Sequence, residues 1–390
     1  MIRTIATAVI ACLAVCACVK HNPSGHRVDP DHGGGHDGKD ELVLRERTDW
    51  TIRYVARENW VNDDGSVDRV EHFKFAYTGS TYYIIRFVRP EDFRDAYNSD
   101  AAAFFTYEAE SLLKDAKADG VDFWQYTDEV FAPAIKDVYF NRLRSGTWTA
   151  FLVELDGKGA VTGNYAEETF TISEEDPSDA YLSWLGRWEV TNGRVGYELT
   201  VSPLDNNYLY RVDGWECGEA AGDFQMDQEY LETEFWAPDG CMYFISQFLG
   251  SYEDEKFGTV DELFLGRIFD SGGYTVITDE GLDLAVASFT GDKAELRPMN
   301  VTLSTSGGDY TTTFDSMLYY MWVHSSEEYV PYHSNAARLP LTMTRVPGTK
   351  ASAAPLAKER SATRPSIHHL QPKAARGARN SVAKKAVRMK

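Results

Sequence analysis

The chain has 390 residues, 43% of them hydrophobic and 13% aromatic. At roughly 100 to 200 residues per domain, that length predicts two domains, each with its own core. Its 39 Lys and Arg face 60 Asp and Glu for a net charge of −21, yet residues 349 to 390 alone carry eleven cations against the single acid Glu359. Setting aside that basic tail and Arg3 leaves −32 on residues 19 to 348, so the folded body repels phosphate and nucleic acid is excluded as its partner.

Residues 1 to 18 read as a secretory signal, with Arg3 as the positive start and an uncharged, mostly apolar run from Ile5 to Cys18. That run falls short of the roughly 20 residues a spanning helix needs, so it targets and does not span. It ends in Val15-Cys16-Ala17-Cys18, which resembles the lipobox of bacterial lipoproteins. The resemblance implies that Cys18, preceded by the small Ala17, becomes the acylated first residue and that Cys12 and Cys16 leave with the signal. Membrane attachment through that N-terminal lipid is the expected consequence, each buried methylene adding roughly 0.8 kcal/mol.

Residues 19 to 40 are rich in His, Gly, Pro and Asp with no apolar period, and read as a flexible tether. Its His21, His26, His32 and His36 have metal-ligand chemistry, but such tracts more often stay solvated, and no metal or cofactor is expected. His32 to Gly35 spell HGGG without the Gly-x-Ser-x-Gly elbow that an oxyanion loop serves.

From 41 to 175 alternating stretches dominate: Trp50, Ile52 and Tyr54, then 67 to 77, 81 to 88, 146 to 155 and 159 to 172, all predicted as antiparallel strands. Between them Pro90 suits a helix start, Asn98 or Ser99 a second cap, and Ala101, Phe104, Phe105, Ala109, Leu112, Leu113 and Ala116 recur at helical spacing. The strand rhythm and the TAFLVELDGKG hairpin resemble an immunoglobulin or fibronectin type III module, which implies a small β-sandwich with this helix inserted. Asn62, Asp64, Gly65 and Glu71 fall at calcium-loop positions, but the first position would be Trp60, so a hairpin turn is the better reading.

After the acidic joint at 173 to 179 comes Gly186-Arg187-Trp188, and the last apolar strand, LPLTMTRV, supplies Arg345. The pair resembles the Gly-x-Trp opening and final-strand cation of lipocalins and related barrels, which implies an eight-stranded up-and-down barrel over 180 to 346 closed by Arg345 on Trp188. The family's Thr-Asp-Tyr motif is absent. The strand runs read for that meander are YELTVSPL, YLYRVDGWE, FQMDQEYLETEFW, CMYFISQFLGSY, ELFLGRIF, LDLAVASF and TTTFDSMLYYMW. A barrel of this size either fills with side chains or holds one small ligand. Its aromatic residues would suit a small apolar or glycan ligand, although aromatics at strand spacing are more often core.

Cys217 and Cys241, the two cysteines outside the signal, are the candidate disulfide of an exported chain, weighed against two independent thiols. Glu232 and Glu234 share a strand face, taken as solvated, so a glycosidase pair is not favoured. The tail at 349 to 390 reads as disordered, an arm either for an anionic partner or for its own acidic body.

The whole is mainly β and resembles the two-module envelope lipoproteins of Bacteroidota: lipobox, polar tether, immunoglobulin-like sandwich, lipocalin-like barrel. The expectation is a non-catalytic, outer-membrane-anchored envelope lipoprotein with a binding or structural role, on either membrane face. The alternatives are an envelope hydrolase acting on glycan or lipid and a freely secreted carrier.

Overall fold

The structure, a computed structural model, describes residues 42–61, 67–78, 82–120, 122–126, 130–131, 137–141, 143–215, 230–254, 256–270, 273–279, 281–305, 308–332, 337–348, 366–367, 381–383 and 386–389. The signal, the lipidation position Cys18, the tether histidines, the acidic turn at 62 to 66 and Cys217 lie outside these residues.

The first half is a sandwich built from β1 (Arg45–Glu46), β2 (Thr51–Val61), β3 (Val67–Ala76), β4 (Tyr82–Val88), α1 (Pro90–Tyr97), α2 (Ala101–Asp119), α3 (Phe123–Tyr126), β5 (Val130–Phe131), β6 (Asp137–Asn141), β7 (Gly146–Leu155) and β8 (Val161–Ile172). One sheet runs β1-β8-β7-β4-β5 and the other begins β2-β3-β6. Alternate side chains of both sheets, Ile52, Phe73, Phe140, Leu152 and Phe170 among them, meet in the layer between them. The opposite face of β4 and β7 is also apolar, Ile84, Phe151 and Val153, because α2 lays Phe104, Phe105, Ala109 and Leu112 across it. Burial on both faces is why these two strands read as nearly unbroken apolar runs. Pro90 opens α1 as expected, but the cap of α2 is Asp100, whose carboxylate accepts from Ala103 N at 3.0 Å, while Asn98 is the left-handed end of α1. A buried Arg86–Glu108 pair, 2.6 Å apart, ties α2 to β4.

The second half begins with α4 (Asp179–Leu182) and contributes β9 (Gly186–Thr191), β10 (Gly196–Asp205), β11 (Leu209–Asp213), β12 (Tyr230–Trp236), β13 (Cys241–Ile245), β14 (Gln247–Asp254), β15 (Gly258–Asp270), β16 (Gly273–Ile277), β17 (Asp283–Thr290), β18 (Lys293–Pro298), β19 (Asn300–Thr305), β20 (Gly308–Thr313), β21 (Ser316–Val323), β22 (Glu328–Pro331) and β23 (Leu341–Arg345). Eight of them close an antiparallel barrel in the order β10-β11-β12-β13-β17-β18-β23-β9, consistent with a lipocalin-like barrel.

The barrel is not the continuous meander expected from the strand runs. The run CMYFISQFLGSY breaks at Ser246 into β13 of the barrel and β14 of a second sheet. That sheet also takes β15, the run ELFLGRIF, and β21, the second part of the run TTTFDSMLYYMW, whose first part ends β20. The break has a local cause: Ser246 donates its hydroxyl to Asp279 O at 2.7 Å, accepts from Leu282 N at 2.9 Å, and sits beside a register shift between Phe244 and Ile245. The barrel place vacated by β15 and β21 is filled by β18, KAELRP, whose buried apolar side chains are Ala294 and Leu296. One face of β15 packs Phe264 and Ile268 into the barrel's core cluster. Gly266 lies between them, and a Cβ there would stand 2.4 Å from the Phe314 ring and 2.7 Å from Leu284, so only glycine lets the second sheet approach.

Among the described residues three short stretches of the tail form strands: β24 (Ser366–Ile367), β25 (Ser381–Ala383) and β26 (Ala386–Met389). They add to β6, β19 and β16 respectively, because an open sheet edge offers unpaired backbone groups to any extended segment nearby.

Candidate functional site

The barrel lumen is the place the sequence marks for a ligand. Residues directly opposite each other on paired strands share a face, so Tyr210, Thr233, Phe244 and Ala285 form one inward ring segment, and Phe235, Met242, Ala287, Leu296 and Leu341 another. Every one of these side chains is 3% exposed or less. The interior is therefore filled by side chains, with small Ala285, Ala287 and Ala294 set against the large rings. The polar ends of the deepest tyrosines are consumed locally. Tyr210 stacks on Tyr181 at 4.3 Å and donates to Tyr181 O, while Tyr181 donates to Leu209 O. Burial holds both phenols far above the ordinary tyrosine range, so neither is a proton donor at working pH.

One end of the barrel carries the Trp188–Arg345 pair, which strand pairing between β9 and β23 sets directly opposite. The Arg345 Cζ lies 4.3 Å from the Trp188 ring centroid. Its guanidinium also donates to Leu185 O at 2.6 Å and to Ser183 O, capping the segment that leads from α4 into β9. Trp188 in turn donates to Trp184 O at 2.8 Å, and Trp184 to Gly240 O at 2.9 Å. These donors and acceptors hold backbone, and the pair is a structural closure.

Cys241 begins β13 as a free thiol that donates to Asp239 O at 3.6 Å. Burial first, and the neighbouring Asp239 second, push it up to about 12. A thiol at that value holds little nucleophilic thiolate near neutrality. After reduction, iodoacetamide at pH 8 is expected to modify Cys241 about a thousandfold more slowly than an ordinary exposed cysteine, with the rate still climbing at pH 11. A plateau near pH 9 in mass-spectrometric time courses would contradict this.

The densest charged constellation lies elsewhere, where the sandwich meets the barrel, and the sequence reading missed it. The segment from Leu143 to Ser145, between β6 and β7, presses against the end of β10. Asp205, 2% exposed, accepts from Ser145 N at 3.0 Å and from Ser145 Oγ at 2.8 Å. Arg57 of β2 donates to Ser145 Oγ at 3.3 Å and to Leu143 O at 3.1 Å, and pairs through Nε with the buried Glu71, which also accepts from Tyr54 at 2.8 Å. Arg69 of β3 reaches Glu175 at 2.7 Å and Asn206 O at 3.4 Å. Arg89 donates to Ser145 O at 3.3 Å with its Cζ 4.9 Å from the Trp148 centroid. Arg144 lies 4.0 Å from Glu232, which is fully buried on β12. Glu232 thus does not sit on a solvated face, as its position beside Glu234 suggested.

Burial lowers Arg69 and Arg89 from the usual arginine value, and each is in turn offset by nearby carboxylates that include Asp205. An acidic body has gathered four arginines at one seam and matched them with Glu71, Asp205, Glu175 and Glu232. Guanidinium groups neither take nor release protons near neutrality, and what these contacts do is hold the Leu143–Ser145 segment and the end of β10 together. The one sequence signal was RLRSG, a basic pair inside an acidic chain just before a strand.

Two histidines also contact carboxylates. His72 lies between Glu58 and Asp137, 2.8 and 2.9 Å from its two ring nitrogens, and His324 lies 2.8 Å from Asp261. Among the described residues no group of three or more His, Cys, Asp or Glu is disposed to hold a metal. No helix among them is long and apolar enough to cross a membrane. No protein-family description, no curated protein and no solved structure matches this chain.

Proposed function

We propose that this chain is a lipid-anchored protein of the bacterial cell envelope with a non-catalytic role, in which sandwich and barrel act together as a scaffold that presents a surface to a partner. The observation that carries the reading is the filled lumen: the inward ring residues from Tyr210 to Leu341 are 3% exposed or less, and the hydroxyls of Tyr210 and Tyr181 bond to the backbone. A carrier of the lipocalin kind needs instead a hollow large enough for its ligand. A glycan hydrolase needs two carboxylates facing a shared space, whereas Glu232 is enclosed beside Arg144. The anchor rests on Val15-Cys16-Ala17-Cys18 and on the polar tether that follows it.

The test is the intact mass and detergent-phase partition of the full chain expressed in a lipoprotein-processing bacterium, beside Cys18→Ser. The native chain is expected to start at Cys18 with acyl mass added and to enter the detergent phase, and the variant to stay aqueous. Both remaining aqueous, with cleavage after Ala17 and no acyl mass, would replace the anchored scaffold with a freely secreted protein.

A further inference from the structure

We infer that the basic C-terminal tail is a strap that closes exposed sheet edges of its own chain, and that the edge of β16 is an acceptor for an extended strand. In the second sheet the order is β22-β21-β15-β16-β26, so that β16 is an open edge whenever β26 is withdrawn. The pairing is antiparallel over four residues, Tyr274 opposite Met389, Thr275 opposite Arg388, Val276 opposite Val387 and Ile277 opposite Ala386. The register places the apolar positions Val387 and Met389 against Val276 and Tyr274, which belong to the apolar side of this sheet that faces away from the barrel. The basic position Arg388 falls against Thr275.

The same tail meets two other sheets. Ser366 and Ile367 pair with Asn141 and Phe140 of β6, and Ser381 to Ala383 run parallel to Val301 to Leu303 of β19. One segment thus supplies an edge strand to the sandwich, to the β19–β20 hairpin and to the second sheet. Charge favours the arrangement, because the tail carries eleven cations and one acid while residues 19 to 348 carry a net −32. Main-chain bonds supply attraction and alternate side chains supply register, the usual logic of strand addition. The ligand class that β16 would accept in place of the tail is therefore an extended peptide alternating apolar and basic residues. Filled in cis, the edge is closed to other chains, a known way to prevent edge-to-edge association.

The experiment is hydrogen exchange of the full chain beside Val387→Pro and Val382→Pro, since proline removes a backbone donor and on an edge strand is tolerated only where that donor would face solvent. Val387→Pro is expected to speed exchange of Tyr274 to Ile277 at least tenfold while β7 and β8 stay unchanged, and Val382→Pro to do the same for Val301 to Leu303. A labelled peptide of residues 381–390 should bind the Val387→Pro chain, more weakly at high salt, and should not bind the native chain. Native β16 amides that exchange as fast as in Val387→Pro would overturn the strap, as would equal peptide binding by both chains. Protection that rises with protein concentration would also overturn it, since the strand would then come from a second copy.

Discussion

Trp188→Ala should lower the unfolding free energy by about 3–5 kcal/mol, the range for removing a large ring from a packed core. Trp188 has no exposed surface, and its ring is the platform for Arg345 at 4.3 Å. The truncation also withdraws the indole donor from Trp184 O, so a cavity and an unsatisfied carbonyl arise together at the barrel end. Urea denaturation reads the loss directly, and Trp188→Phe should recover much of it by keeping an aromatic face. A double-mutant cycle with Arg345→Met should give a coupling of about 0.5–2 kcal/mol, the span for a cation over an aromatic ring from exposed to desolvated sites. Arg345→Met alone should cost more than that coupling, because Leu185 O and Ser183 O lose their donor as well. A loss below about 1 kcal/mol for Trp188→Ala would mean that the barrel end is not closed by this pair.

Asp205→Ala is the second large effect, at about 3–5 kcal/mol, the cost of removing one partner from a buried charged network. The carboxylate satisfies both Ser145 N and Ser145 Oγ and offsets the charge of Arg69 and Arg89. Without it, buried cations face one another and the Leu143–Ser145 segment loses its hold on β10. The effect should appear in calorimetry as a change of shape: one cooperative transition in the native chain becomes two, one for the sandwich and one for the barrel. Asp205→Asn should fall between, since the amide oxygen still accepts one Ser145 hydrogen bond but carries no charge. An unchanged single transition in Asp205→Ala would show that apolar contact, and not the charged seam, joins the two halves.

Much of this fold was legible in the chain because period and burial coincide. Alternation marked the sandwich strands, the spacing from Ala101 to Ala116 marked α2, and Gly186-Arg187-Trp188 with Arg345 marked the two strands that close the barrel. Strand membership was not legible, because period two says which face is buried and nothing about which sheet a strand joins. CMYFISQFLGSY is one alternating run, yet Ser246 redirects it through bonds to Asp279 and Leu282, residues more than thirty positions away. KAELRP failed for the opposite reason: Ala294 and Leu296 are too few apolar residues to stand out, and only neighbouring β17 and β23 make it a barrel strand. The seam was hidden because its acids look like turn residues. Asp205 stands in LDNNY, which reads as a hairpin bend, and its value comes from Ser145, sixty residues earlier.

The cap of α2 shows how local rules compete. Asn98, Ser99 and Asp100 are all good capping residues, and the choice fell to Asp100 because α1 ends just before it with Asn98 and Ser99 at positive φ.

Whether the barrel is a solid scaffold or a container is decided by a fluorescence titration of the full chain with cis-parinaric acid, an apolar probe whose emission rises in a dry cavity. No saturable one-to-one binding is expected, because Ala287 and the rings around it are fully enclosed. A saturable isotherm that disappears in Ala287→Trp would place a ligand inside the lumen and make the barrel a container.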